Sequence, residues 1–137
     1  MTLPPLRTRH CHTTWSDGHD SVADMAAAAE QHGFEEIGFS DHLVIHPDDI
    51  PVPWAISPDS LDDYVRDVRD AAERTDIPVK LGLEIDFFPE NPRQAELDRL
   101  MRKHEFDFFI GSVHMIDTFP LDTSADDWKP LSASEID

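Results

Sequence analysis

Four β-rich segments alternate with three helical ones along this chain, and that order leaves few folds open. Residues Leu6 to His12 read as a first strand, closing on the polar turn Ser16-Asp17-Gly18. A helix is expected from about Asp20 to His32. Ser21 and Asp24 have capping-box spacing, and Val22, Met25, Ala26 and Ala29 form an apolar stripe. Gly33 follows where a left-handed cap is needed. Glu36 to Ser40 reads as the second strand, ending at Asp41-His42, and a loop rich in Pro and Asp runs from Leu43 to Ser57. Ser57 before Pro58 marks a helix start, continued at helical period by Leu61, Tyr64, Val65, Val68 and Ala72. Val79 to Phe87 forms the third strand, Asn91-Pro92 opens a helix with Leu97, Leu100 and Met101 inward, and Phe106 to Val113 forms the fourth strand. The run Phe106-Asp107-Phe108-Phe109-Ile110 suits a strand buried on both faces. This order predicts an α/β fold with a parallel sheet and right-handed crossovers. It amounts to about half of a closed α/β barrel, which needs roughly 200 to 250 residues. The polar tail from Thr118 ends on Ser134-Glu135-Ile136-Asp137, which reads as a further helix start.

Composition narrows the class. The chain has 137 residues, with 39% hydrophobic and 29% charged, which suits one globular domain rather than a disordered or membrane-spanning chain. No apolar run approaches a transmembrane length, and Met1 to His10 lacks the apolar core of a signal peptide. A single cysteine, Cys11, rules out an internal disulfide framework and fits a reducing cytoplasm. The net charge of −18 opposes non-specific nucleic-acid binding, which depends on clustered Lys and Arg. Solvated helix faces such as Asp59, Asp62, Asp63, Asp67 and Asp70 account for part of the acidity. Adaptation to a salty cytoplasm and carboxylates that bind cations are the other two readings, and a bound metal would invert the local field.

The chemistry lies in where the metal-competent side chains fall. His10 and His12 are two apart at the end of the first strand and so project to one side, while Cys11 points the other way into the core. His42 closes the second strand, Glu84 lies late in the third, and His114 closes the fourth. In α/β barrels that carboxyl-terminal rim is where sites are assembled. A lone His-x-His is a weak signal, but ligands at four strand ends are hard to produce by accident. Imidazoles with carboxylates suit zinc, iron or manganese. Asp17 adds a hard oxygen ligand, and the two oxygens of Glu84 allow it to bridge two ions.

Other residues have plainer readings. His32 and His104 stand at helix C-termini, where a histidine favours the dipole. His19 is a solvated loop residue or a substitute for Asp17, and His46 is expected to be exposed in its Pro-rich loop. Asp41 fits a supporting or capping role better than a ligand's. Asp86 either orients a ligand or is solvated. Trp15, Trp54, Phe87 and Phe88 read as packing, except where one beyond a strand end lines a pocket. No Gly-x-Gly-x-x-Gly or P-loop is present, and Ser112 near His114 lacks a nucleophile elbow.

At these positions the chain resembles the PHP (polymerase and histidinol phosphatase) superfamily. The resemblance rests on His10-Cys11-His12 with Ser16-Asp17-Gly18, then Ser40-Asp41-His42, then Gly82-Leu83-Glu84-Ile85-Asp86-Phe87. Its fourth motif is Gly111-Ser112-Val113-His114-Met115-Ile116-Asp117, followed by Phe119-Pro120-Leu121-Asp122. The last two motifs are similar to the histidinol-phosphatase branch rather than to the polymerase-associated domains. The resemblance implies a distorted (β/α)7 TIM-like barrel with a trinuclear centre of divalent metals, Zn, Fe or Mn. Residues 1–137 would be a partial PHP domain, the N-terminal half of that barrel. His10, His12 and a bridging Glu84 would hold one metal, Glu84 and His114 the second, and Asp17 and His42 the third. The family completes this set with a later histidine and a C-terminal Asp-x-His, neither of which follows His114 here, and Thr8 stands where an acidic residue is common.

The implied activity is metal-dependent hydrolysis of a small phosphorylated metabolite in the cytoplasm, with no nucleic-acid or membrane partner. L-histidinol phosphate, in histidine biosynthesis, is the expected substrate, and a metal-bound hydroxide the expected nucleophile. Two alternatives stand beside it: another small phosphate ester as substrate, or a truncated metal-binding fragment without turnover. Half a barrel would also leave an open sheet edge.

Overall fold

In the computed structural model, which describes residues 4–132 and 134, a parallel sheet is covered on one face by helices. Strand β1 (Leu6–Thr8) leads to helix α1 (Val22–Gln31), then to β2 (Phe34–Phe39) and a two-residue strand β3 (His42–Leu43). A 3-10 turn, Pro58–Ser60, precedes α2 (Leu61–Ala72), followed by β4 (Val79–Asp86), α3 (Gln94–Lys103) and β5 (Phe108–Ser112). A short hairpin, β6 (Met115–Ile116) with β7 (Phe119–Pro120), and a one-turn helix α4 (Ala125–Trp128) complete the described chain. Most of the helix start expected at 134–137 lies outside the described residues, Ser134 apart.

The expected strand order is present, with one refinement. β2 pairs with β4 from Ile37↔Val79 to Phe39↔Leu81, and β3 pairs with β4 at His42↔Glu84 and Leu43↔Ile85. The register does not change between the two stretches, so β2 and β3 are one strand interrupted at Ser40-Asp41. Sequential strands therefore lie side by side and parallel, β1 on β2, β2 and β3 on β4, and β4 on β5. This is the curled half-barrel that the alternating pattern predicts.

β4 shows how the sequence builds both faces. Val79, Leu81, Leu83 and Ile85 turn one way and join the core formed with Val22, Ala26, Tyr64, Val65, Val68, Leu97 and Leu100 from the helices. Lys80, Gly82, Glu84 and Asp86 take the other face, because strand side chains alternate. Gly82 is required there: a Cβ would sit 2.4 Å from the Phe108 ring of the neighbouring strand. The Tyr64 hydroxyl, buried on α2, donates to the Gly82 carbonyl at 2.8 Å and fixes helix against sheet.

The helix starts follow the expected local chemistry. The Ser21 hydroxyl accepts from the Asp24 amide and donates to the Asp24 carboxylate, and Ser57 accepts from the Ser60 amide. Asn91 holds a turn before α3 by accepting from the Arg93 amide. On α2 the inward residue of the last turn is Ala71, and the expected Ala72 is exposed.

Two further expectations are corrected. β1 stops at Thr8, so His10 and His12 lie on the extended segment beyond it. β5 is not buried on both faces: Phe109 is 42% exposed, since β5 pairs with β4 alone among the described strands. No helix among the described residues is long and apolar enough to cross a membrane.

Candidate metal centre

The segment after β1 is held in place by its neighbours. The Ser40 amide donates to the Cys11 carbonyl at 2.9 Å, pinning this stretch beside the interruption in the second strand. Cys11 packs against the core, as expected, and His10 and His12 turn the other way. Asp41, fully buried, accepts from the Thr13 amide at 2.7 Å, from the Thr13 hydroxyl and from the Ser16 hydroxyl at 2.6 Å. Burial pushes its pKa up, and the Ser16 and Thr13 hydrogen bonds offset only part of that. Its expected supporting role is thus realised as the peg of the loop that carries Asp17.

Gly18 closes that loop. Its amide donates to the Thr13 carbonyl, and a Cβ would lie 2.3 Å from the His12 carbonyl oxygen, so only glycine fits. The Trp15 indole donates to Asp67 on α2 at 2.8 Å, tying the loop to the helical layer. Asp17 thereby arrives against His12, with Oδ1 2.8 Å from Nδ1.

The remaining groups come from β3, β4 and the end of β5. Glu84 Oε2 lies 2.7 Å from His10 Nε2, 2.9 Å from His12 Nε2 and 3.8 Å from His42 Nδ1. Its Oε1 lies 3.4 Å from His114 Nε2, and His42 Nε2 is 3.6 Å from Asp17 Oδ2. One carboxylate therefore stands among four imidazoles. Burial alone would raise the Glu84 pKa, but the His10 hydrogen bond and the charges of His42, His10 and His12 outweigh it and lower it. The Asp17 carboxyl is likewise lowered, the His12 contacts prevailing over burial.

His42 is buried, and burial together with the neighbouring charge of His12 lowers its pKa, which favours the neutral, ligating form. His114 is held differently. Its Nδ1 is 2.6 Å from Asp86 Oδ1, and its amide donates to Asp86 Oδ2. Burial lowers the His114 pKa, but the Asp86 hydrogen bond and charge reverse the direction and raise it. Asp86 is itself buried and accepts from the Ser112 hydroxyl at 2.9 Å, so it orients His114 and is not merely solvated. With its Nδ1–H donated to Asp86, His114 turns the Nε2 lone pair towards Glu84.

All six residues singled out in the sequence converge. His10, His12 and Glu84 form one group of ligand atoms lying within 4.8 Å of one another, His12, Asp17 and His42 a second, and His42, Glu84 and His114 a third. The chemistry of the set suits cations. A neutral imidazole carries one N–H, yet both His12 nitrogens face carboxylate oxygens. His42 Nδ1 is buried without a hydrogen-bond partner. A divalent ion between these groups would satisfy both nitrogens.

Other histidines stand apart from the groups. His32 ends α1 and is exposed, His19 is exposed, and His104 pairs with Asp62 at 2.7 Å. His46 is corrected: it is buried, not exposed. Its Nδ1 accepts from the Asp48 amide, so Nε2 carries the proton and donates to the Asp117 carbonyl at 2.9 Å. It joins the Pro-rich loop to the hairpin.

Two further residues stand at this site: Trp54, for which the sequence left packing and pocket lining open, and Asp122, to which it gave no role. Trp54 stands 4.8 Å from the His42 ring and 5.5 Å from the His114 ring, at steep angles to both. Asp122 Oδ2 lies 4.0 Å from His114 Nε2. With Asp17, His42, His114 and Thr123 they line a cavity of about 260 Å³. Larger cavities of about 490 and 530 Å³ lie along the Pro-rich loop and beneath the hairpin, away from the imidazole cluster. The adjacency of Phe119-Pro120-Leu121-Asp122 to the His114 motif was the only available signal for Asp122.

Fold and cluster together define an α/β half-barrel with imidazoles and carboxylates gathered at the carboxyl ends of its strands, an arrangement with groups that could hold metal ions. The chain belongs to the PHP domain family, whose sequence model matches residues 9–135. It is 26% identical over 117 residues to the Schizosaccharomyces pombe protein named "Probable histidinol-phosphatase", covering 79% of this chain and 38% of that one. It is 29% identical over 107 residues to the Bacillus subtilis DNA polymerase/3'-5' exonuclease PolX, covering 77% of this chain and 17% of that one. A histidinol phosphatase candidate from Listeria monocytogenes has the same fold, with a TM-score of 0.75 at 17% identity, covering 90% of this chain and 52% of its own. The histidinol phosphate phosphatase of Lactococcus lactis, solved with zinc, L-histidinol and phosphate, gives a TM-score of 0.63 at 22% identity, covering 83% of this chain and 42% of its own. This chain thus spans about half, or less, of the length of each of these relatives.

Proposed function

We propose that this domain contributes to metal-dependent hydrolysis of a phosphate monoester, with L-histidinol phosphate as the substrate. The observation that carries the reading is the Glu84 carboxylate set among His10, His12, His42 and His114. His10, His12 and Glu84 would hold one divalent ion, Glu84 and His114 with His42 a second, and Asp17 and His42 with His12 a third. Bound ions would neutralise phosphate charge and lower the pKa of water into the neutral range.

The chain's own groups prepare that chemistry. The His10 hydrogen bond helps to lower the Glu84 pKa, and burial lowers that of His42, which favours its neutral form. Asp86 fixes which nitrogen of His114 carries the proton, and Asp41 fixes the loop that presents Asp17. Each therefore positions a ligand without itself touching substrate. The substrate assignment is supported by the names of the S. pombe and L. lactis relatives and by the zinc, L-histidinol and phosphate of the latter. The net charge of −18 weighs against a nucleic-acid substrate of the polymerase-associated kind.

The test is phosphate release from L-histidinol phosphate by the full chain, before chelation, after it, and after zinc or manganese is restored. Loss and recovery of activity are expected. Release that chelation leaves untouched would contradict the proposal. A panel of other phosphate monoesters and a 3'-phosphorylated oligonucleotide tests the substrate: a faster rate on any of them would move the assignment to it.

A further inference from the structure

Resting on the metal centre proposed above, we infer that the Pro-rich loop after β3 is a latched cover over the His42 side of the cluster. Arg93 and His46, neither of them a ligand, set how often it opens.

The loop reaches the cluster through Trp54, whose ring stands across those of His42 and His114. His42 is buried, and Trp54 forms part of the wall of the cavity that opens onto it. Displacing the loop therefore widens the way to both imidazoles. Beneath the loop the core does not close: Val44, Ile45, Ile50, Val52 and Ile56 line a cavity of about 490 Å³. The segment arches over a space instead of packing flat, and Ile50 on it is exposed. Its outer part thus owes its position to polar contacts more than to packing.

Those contacts are few and lie away from the cluster. Before α3, Asn91 Nδ2 donates to the Ile45 carbonyl at 2.9 Å. The Arg93 guanidinium donates to the His46 carbonyl at 3.4 Å and pairs with the Asp49 carboxylate. Glu96 holds Arg93 in turn, accepting from its Nε at 2.9 Å. On the other side, His46 Nε2 donates to the Asp117 carbonyl of the hairpin. The loop, the β4–α3 connection and the hairpin thus meet around His46. Each carries one residue with left-handed backbone: Asp49 (φ 57°), Glu90 (φ 57°) and Asp117 (φ 52°). No other non-glycine residue among the described residues has positive φ. Such a backbone persists only where its surroundings over-determine it, so the closed loop is held by these contacts against strain that opening would release.

The experiment compares the full chain with Arg93→Gln by two readouts. In the metal-free chains, amide hydrogen exchange resolved by NMR should quicken about 5- to 10-fold at Asp48, Asp49 and Ala55, the loss expected from one exposed ion pair and one carbonyl contact. Amides of the β4–β5 ladder should not change. In the zinc-loaded chains, release of zinc to excess chelator should quicken by the same factor. Zinc uptake should quicken with it and the equilibrium affinity stay within about twofold, because a cover that does not discriminate bound from free sites alters rates alone. His46→Leu should behave like Arg93→Gln in both readouts, whereas His46→Gln, which still carries a donor for the Asp117 carbonyl, should stay near the parent. Faster exchange spread over the β4–β5 ladder, or zinc release unchanged in Arg93→Gln, would overturn the cover. So would affinity lost with uptake unchanged, the mark of a distorted ligand. A parent chain that takes up no zinc removes the metal centre alone, since the amide comparison is made without metal and still decides the latch.

Discussion

The two faces of β4 are made by alternate residues of one eight-residue segment, and they obey different physics. Val79, Leu81, Leu83 and Ile85 meet helices, where area removed from water and close packing set the energy. Glu84 and Asp86 meet imidazoles, where the energy depends on which groups are charged and which nitrogen carries a proton. A change on the first face is felt as lost stability of the whole domain. On the proposed function, a change on the second should be felt as lost affinity for cations, with the fold largely intact.

Glu84→Gln breaks this contrast most severely. It removes the negative charge shared by four histidines, so divalent-metal affinity measured by equilibrium dialysis should fall by more than the roughly 100-fold upper end typical of outer partners. The thermal midpoint of the metal-free chain should move much less than it does in a core variant. Leu83→Ala is that core variant: it should lower unfolding free energy in urea titration by about 2–5 kcal/mol and leave the metal affinity of the folded fraction within about twofold. If the two variants gave the same profile, the faces would not be separable.

Asp86→Asn sharpens the comparison inside the polar face. An amide keeps a hydrogen-bond acceptor for His114 but loses the charge, and metal affinity near neutral pH should drop about tenfold. The pH dependence has a defined sign. Protons compete with metal for His114, and Asp86 raises the His114 pKa, so the parent loses affinity at a higher pH than the variant as acidity increases. The gap between them should therefore narrow as the pH is lowered, and a gap that widened would contradict the assigned role. Phe109→Ser is the smallest effect expected. The outer face of β5 lacks the cover that β4 has, and chemical denaturation should register a change below about 1 kcal/mol.

Much of this was legible in the sequence for local reasons. Ser21 and Ser57 announce helix starts through their own amide partners, and the strict alternation of Val79 to Asp86 separates the two faces of a strand. His10, His12, Asp17, His42, Glu84 and His114 could be singled out because each falls late in a strand or beyond its carboxyl end, and parallel strands bring those ends together. What could not be read depends on contacts between distant segments. β1 ends early and the second strand breaks because Ser40 bonds back to Cys11 and Asp41 to Thr13, and no local pattern encodes either bond. His46 looked exposed because Pro and Asp surround it, yet its partner lies 71 residues away on a hairpin whose two-residue strands carry no periodicity. The role of Asp122 was missed for the same reason, and the choice between packing and pocket lining for Trp54 could not be made, since both sit on segments placed by that hairpin or by β3.

In the proposed centre, ligands from four separate segments would surround shared cations. Anomalous diffraction at the zinc edge, from crystals of this chain grown with zinc, tests it most directly. More than one strong peak is expected within coordination distance of the cluster, two of them bridged by the Glu84 carboxylate. Peaks confined to surface carboxylates such as Asp59 and Asp63, with none beside Glu84, would contradict it.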